Sequence, residues 1–432
     1  MESTSLLAAV PRKIAKDVPA IHVLRLLGAV HVVLFHCAMV PDGWPSTPFS
    51  TFVTWGSSWV PFFFVLSGFG SAYSRVGKVG LQAASSSGPL LPDWRMLMRR
   101  ALAVWPMVLF AVAVTLPAKT LPGAVNFGLT EHISVARMSL QVFIESFMLQ
   151  AWFPSDFFVM AAYQINGPAW YVSALALAWF YEPLVIRLAA LGTVGRQGAV
   201  PVFALVLLAL YVLVWPFARF PMTWGSTGTM ATVEIDCLAY AQMYFAGALL
   251  ACWLHARADA GRSPLPLWVA PVAFVVNLIF CFTNPVWFGL TVEDARIFMD
   301  LWGHSVGIML IPQLAIMAGL VEAAPALTPP LVVCSFCRDL AFGVYMLQTF
   351  VAHLLLDTWL RDRGYLRSFD GVELCALFCV LLPIAALAQY GVQKPIAAYF
   401  NAMLAVDAKQ EQDAVQQQQQ VGAKASPPKE TA

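Results

Sequence analysis

Residues 21–40 read IHVLRLLGAVHVVLFHCAMV. At 1.5 Å per residue, such a run covers the roughly 30 Å apolar core of a bilayer as one helix. Yet it carries Arg25, His31 and His36 among its apolar residues. A charge inside the bilayer costs at least about 2.5–3.5 kcal/mol on insertion scales, so something must offset Arg25. Arg25 and His36 are eleven residues apart, close to three helical turns. They therefore share a face and are separated by about 16 Å along the axis. His31 falls on another face, where packing is its expected role.

The rest of the chain agrees with that reading. Of 432 residues, 59% are hydrophobic and 11% charged, and mean hydropathy is +0.71. Soluble proteins carry about 25% charged residues, so the composition excludes a soluble exterior and predicts an all-α polytopic membrane protein. A net charge of +1 gives no general attraction to nucleic acid. Ten spans are expected: 21–40, 52–74, 101–116, 167–186, 198–217, 236–254, 266–284, 301–322, 340–357 and 371–391. The third is short and contains Pro106. Segment 134–151 holds Arg137, Gln141, Glu145 and Gln150, and is expected as an interfacial or re-entrant helix.

Basic residues orient this arrangement. With both termini cytoplasmic, seventeen of the 25 lie inside, seven outside, and Arg25 within a span. Residues 1–20 form a cytoplasmic segment, 21–400 the membrane domain, and 401–432 a disordered tail with five glutamines at 416–420. The linker 77–93, rich in Gly, Ser and Pro, is expected to be a flexible inner loop.

Several groups carry bland readings. Cys334 and Cys337 have the spacing of half a zinc site, but nothing completes it, so no metal is expected. Ser67-Gly68 suits close helix packing, and a Gly-x-Ser-x-Gly nucleophile elbow is absent. Trp170 and Tyr171 fit interfacial anchors. His304 and His353 fit packing in apolar helices. Arg95, Arg99 and Arg100 precede Trp105-Pro106 and serve either topology or a polyanionic cosubstrate.

Taken in order, these motifs resemble the acyltransferase-3 family of integral membrane acyltransferases. The resemblance rests on Arg25 and His36, the FFVLSGF run at 63–69, and the basic cluster before Trp105-Pro106. It continues in Asn166-Gly-Pro-Ala-Trp170, Tyr181-Glu-Pro183 and Tyr244-Phe-Ala-Gly-Ala-Leu-Leu-Ala251. Ala341-Phe-Gly-Val-Tyr345-Met-Leu and Val392-Gln-Lys394-Pro395 complete it. The resemblance implies transfer of an acyl group, commonly acetyl, from acyl-CoA to a hydroxyl of a carbohydrate, lipid or small-molecule acceptor. It implies His36 as catalytic base and Arg25 as its partner or a CoA contact. Arg99, Arg100, Ser67, Trp170 and Asn166 are the implied substrate or CoA contacts. No bound cofactor is implied beyond acyl-CoA as cosubstrate.

Four positions depart from the family pattern. Ala103 stands where the second arginine of R-x-x-R is expected, Leu175 where a glutamate often follows the tryptophan, Gln348 for a histidine, and Gln393 for the closing glutamate. These departures leave open a catalytically inactive relative. An intramembrane Arg–His pair also suits a multi-pass transporter of a small solute.

Overall fold

The computed structural model describes residues 18–37, 47–86, 90–120, 135–152, 165–193, 236–289, 291, 309–324, 330–359 and 371–406. Among the described residues every regular element is helical, as expected where backbone groups have no water to bond and must satisfy one another. The helices are α1 (Pro19–Cys37), α2 (Pro48–Thr54), α3 (Trp59–Val79), α4 (Leu81–Ser86), α5 (Trp94–Thr120) and α6 (Val135–Ser146). Then come α7 (Ala169–Thr193), α8 (Asp236–Asp259), α9 (Val269–Cys281), α10 (Leu310–Ala323), α11 (Leu331–Trp359) and α12 (Gly371–Ala388).

Among the described residues, five helical stretches are long and apolar enough to cross a membrane: Pro19–His36, Pro48–Val79, Trp94–Pro117, Ala169–Thr193 and Val372–Val406. Helices α9 and α10 are apolar but only 13 and 14 residues long. The expected span at 198–217, residues 301–308 of the eighth span, His304 and the tail from 407 lie outside the described residues. The last helix continues through a π turn at Gln389–Gln393 to residue 406, six residues past the tail boundary expected from composition.

Two segments differ from the sequence reading for physical reasons, and a third, α6, keeps to it. Helix α5 is 27 residues long although Pro106 lies inside it. Ordinarily the Met107 N–H would bond the Ala103 carbonyl, four residues back. Here the Gln393 side chain sits between them: its Oε1 accepts from Met107 N–H at 2.7 Å and its Nε2 donates to the Ala103 carbonyl. The loop at 77–93 contains α4, whose Ala84 is buried, because its small apolar residues pack on α7. Helix α6 is 12 residues long, about 18 Å and too short to cross. Its Gln141 and Glu145 are buried. The Glu145 carboxylate accepts from the backbone N–H groups of Ile165 and Asn166 at 3.1 and 3.0 Å, fixing the entry to α7.

Two parallel helix pairs organise the core. Helix α11 lies along α1, and α8 along α3. The second pair approaches at backbone distance: a Cβ at Gly68 would strike the Tyr244 carbonyl oxygen, and one at Gly247 the Val65 carbonyl oxygen. Small residues permit this contact, so Gly68 has the packing role expected of it. Between α2 and α3, the 3₁₀ turn Trp55–Ser58 brings Gly56 onto the His31 carbonyl of α1.

At one end of the α11–α12 contact, Lys394 Nζ lies 2.6 Å from Asp339 Oδ2, and Tyr390 OH donates to the same oxygen at 3.1 Å. Burial raises the Asp339 pKa, but the hydrogen bonds from Lys394 and Tyr390 and the Lys394 charge outweigh it, leaving the carboxyl below its ordinary value. A depressed carboxyl stabilises the fold above its unfolded pKa, about 3.9, and that contribution disappears as pH falls through the lower folded value. Asp339→Asn is therefore expected to lower the melting temperature at pH 7, and its difference from wild type to shrink as pH falls below about 3.9 through the lower folded value. A constant difference across that range would remove Asp339 ionisation as its cause.

Candidate functional site

Arg25 and His36 occupy opposite ends of α1, and α11 accompanies both. His36 is exposed, and its Nδ1 lies 3.0 Å from Gln348 Oε1. Gln348 is 1% exposed, and its Nε2 donates to the Tyr345 carbonyl at 2.8 Å. His31 has the structural role expected for it. The Trp59 indole N–H donates to its Nδ1 at 2.8 Å, so Nε2 carries the proton and donates to the Phe52 carbonyl at 2.7 Å. Its ring also stacks on Phe52 at 4.1 Å. With both nitrogens used, His31 is a neutral packing residue.

Arg25 is half-buried. The ion pairs among the described residues are Arg100–Glu182, Arg257–Glu322, Arg338–Asp339 and Lys394–Asp339. Arg25 is in none of them. The titratable groups that act on it are Tyr171 of α7 and Arg338 of α11, a phenol and a second cation. Tyr171 connects this region to Ser67, whose Oγ lies 3.4 Å from the phenol oxygen. Ser67 donates its own proton back to the Phe63 carbonyl at 2.8 Å, so Tyr171 is the donor in that contact. Phe63, Tyr171 and Tyr345 meet edge to face, with centroids 5.5–6.1 Å apart.

The other implied contacts separate into two groups. Asn166 is fully buried, and its Nδ2 donates to the Met346 carbonyl at 3.1 Å, two residues from Gln348. Trp170 is half-buried beside Tyr240, with ring centroids 5.5 Å apart, and Tyr240 stacks on Phe64. Asn166 thus ties the entry of α7 to α11, while Trp170 packs α7 against Tyr240 of α8. Arg100 instead belongs to a buried polar ring. It donates to Glu182 Oε1 at 2.6 Å and to Ser71 Oγ at 2.9 Å. Tyr244 OH lies 2.6 Å from Glu182 Oε2 and 2.9 Å from Ser71 Oγ. Four helices, α3, α5, α7 and α8, thus meet at one charge pair. Arg99 is exposed and takes no part in the hydrogen bonds of this ring.

The acyltransferase-3 model, described as an acyltransferase domain, matches residues 18–393. The chain belongs to this family. No curated protein and no solved structure is matched. Membership in the acyltransferase-3 family implies membrane acyltransferase activity, and the geometry shows where this member departs from the family's sequence pattern. Gln348, in place of a histidine, is the residue that meets His36. Gln393 donates to the main-chain carbonyl of Ala103, an acceptor that any residue at that position supplies. Leu175 is buried on α7.

Glu182, Ser71 and Tyr244 were not singled out as site residues by the sequence reading. A signal existed for Glu182, the one acidic residue in 167–186, because an intramembrane acid demands a partner as much as an intramembrane base does. Among the described residues no group of three or more His, Cys, Asp or Glu side chains forms a metal site. Cys334 and Cys337 are free and buried. The His353 side chain lies outside what is described.

Proposed function

We propose that this acyltransferase-3 member is an acyl-CoA-dependent O-acyltransferase, with acetyl as the expected group and a hydroxyl-bearing carbohydrate, lipid or small molecule as acceptor. The observation that carries the reading is the Arg25 guanidinium, half-buried in an apolar helix and, among the described residues, paired with no carboxylate. Such a cation is costly to keep, and an incoming anion relieves the cost. Side chains on a helix lean toward its N-terminus, so Arg25 leans away from His36 and the two do not share one carbonyl. Their separation of about 16 Å suits an extended cosubstrate, with phosphate at Arg25 and thioester at His36. Arg25 therefore takes the role of CoA contact.

In this reading the His36 imidazole removes the acceptor's hydroxyl proton as the oxygen attacks the thioester carbonyl. The carbon–sulfur bond then breaks, and the imidazolium returns the proton to the departing CoA thiolate. The products are the ester and free CoA. Arg100 is already balanced by Glu182, so its contribution to phosphate binding is shared with holding the fold. Exposed Arg99 offers an uncommitted charge to the same cosubstrate.

Purified protein in liposomes, supplied with labelled acetyl-CoA, tests the reading. His36→Ala is expected to reduce transfer at least about 100-fold, the lower range for loss of a general base. Arg25→Gln is expected to weaken acetyl-CoA binding. A wild-type protein that neither binds nor turns over acetyl-CoA removes the enzyme reading. Solute flux in the absence of any acyl donor replaces it with transport.

A further inference from the structure

Hydrogen-bond direction around His36 is decided by a residue on another helix. Gln348 is buried, and its amide has two neighbours: the Tyr345 carbonyl at 2.8 Å from Nε2, and His36 Nδ1 at 3.0 Å from Oε1. A carbonyl oxygen only accepts, so the amide nitrogen must face Tyr345. The reversed amide would set two oxygens against each other. Gln348 therefore presents an acceptor to His36 Nδ1, and Nδ1 of the neutral ring must carry the proton. The remaining lone pair is on Nε2.

From this we propose that Gln348 is a positioning residue: it holds His36 as the Nδ1–H tautomer, so that Nε2 is the nitrogen that takes the acceptor's proton. The proposal rests on the reading of His36 as the base and adds which atom acts and what fixes it. It also gives a physical content to one departure from the family pattern. A neutral amide orients the ring without adding a negative charge beside it. The backbone supports the arrangement. Tyr345, Met346 and Gln348 lie on one turn of α11, and Asn166 secures that turn through the Met346 carbonyl.

The test uses two nearly isosteric substitutions in the full chain. Gln348→Met keeps length and removes the acceptor, while Gln348→Glu keeps the acceptor and adds charge. In ¹⁵N-histidine-labelled protein above pH 8, the His36 signal is assigned among the seven histidines by its loss in His36→Ala. Wild type is expected to show Nδ1 protonated and Nε2 bare. Gln348→Met is expected to move His36 toward the Nε2–H form that a free histidine side chain prefers. Gln348→Glu is expected to retain Nδ1–H, because the carboxylate also presents an acceptor. In kinetics, CoA thiol release from acetyl-CoA by membranes should fall about 10- to 100-fold in kcat for Gln348→Met, on the scale of lost outer-shell partners, with KM for acetyl-CoA unchanged. An Nε2–H wild type, or a tautomer indifferent to Gln348→Met, overturns the proposal. Full activity in His36→Ala overturns the parent reading instead, and the spectra separate the two results.

Discussion

Glu182→Ala is expected to cost about 3–5 kcal/mol of folding stability, the range for removing one partner of a buried ion pair. The carboxylate side chain is 5% exposed and that of Arg100 29%, so neither side is well supplied with water. Arg100 donates to Glu182 and Ser71, and Tyr244 meets the other carboxylate oxygen. Alanine strands a cation and a phenol together, at the point where α3, α5, α7 and α8 converge. Removing both charges, as Glu182→Leu with Arg100→Met, should cost much less, because a buried pair replaced by apolar side chains is often nearly neutral. Thermal unfolding of the single and double variants in detergent reads the difference. An unchanged melting temperature in Glu182→Ala, or a double variant as unstable as the single, would contradict a structural role for the pair.

How far residues alone disclosed this arrangement depends on what each interaction requires. Helical class and membrane character follow from composition and from runs such as 101–116 and 167–186, since a bilayer allows few other structures. The roles of His31 and Gly68 were also legible, one from its place off the Arg25 face, the other from its size. Helix ends were less so. Pro106 argues for a short helix, and α5 is long because Gln393, 287 residues after it, fills the opening. That contact has no local trace. Glu182 escaped for a different reason: charge was weighed through basic residues, which carry topology, while acids carry little of it. Gln348 was visible only as a substitution. Its significance needs the hydrogen-bond partners on two helices, which spacing along one helix does not supply.

The contact between Ala103 and Gln393 leads to the second large effect. Proline has no N–H, and its ring presses on the carbonyl four residues earlier, here Leu102. The neighbouring bond from Met107 N–H to the Ala103 carbonyl is opened as well, and the Gln393 amide is the one side-chain group that serves both atoms, donating to one and accepting from the other. A carboxylate only accepts, so Gln393→Glu satisfies Met107 while setting an oxygen against the Ala103 carbonyl. Gln393→Leu satisfies neither. With each orphaned group worth about 1–3 kcal/mol, Gln393→Leu is expected to cost about 2–6 kcal/mol, and Gln393→Glu somewhat less. The cause can be isolated through Pro106. In Pro106→Ala, α5 is free to close its own ladder, and the added cost of Gln393→Leu should fall by about 1–3 kcal/mol, the coupling expected of groups in direct contact. If the two substitutions add without coupling, the amide is not what holds the opened turn. If they couple, the Gln393 amide is what holds the turn opened by Pro106.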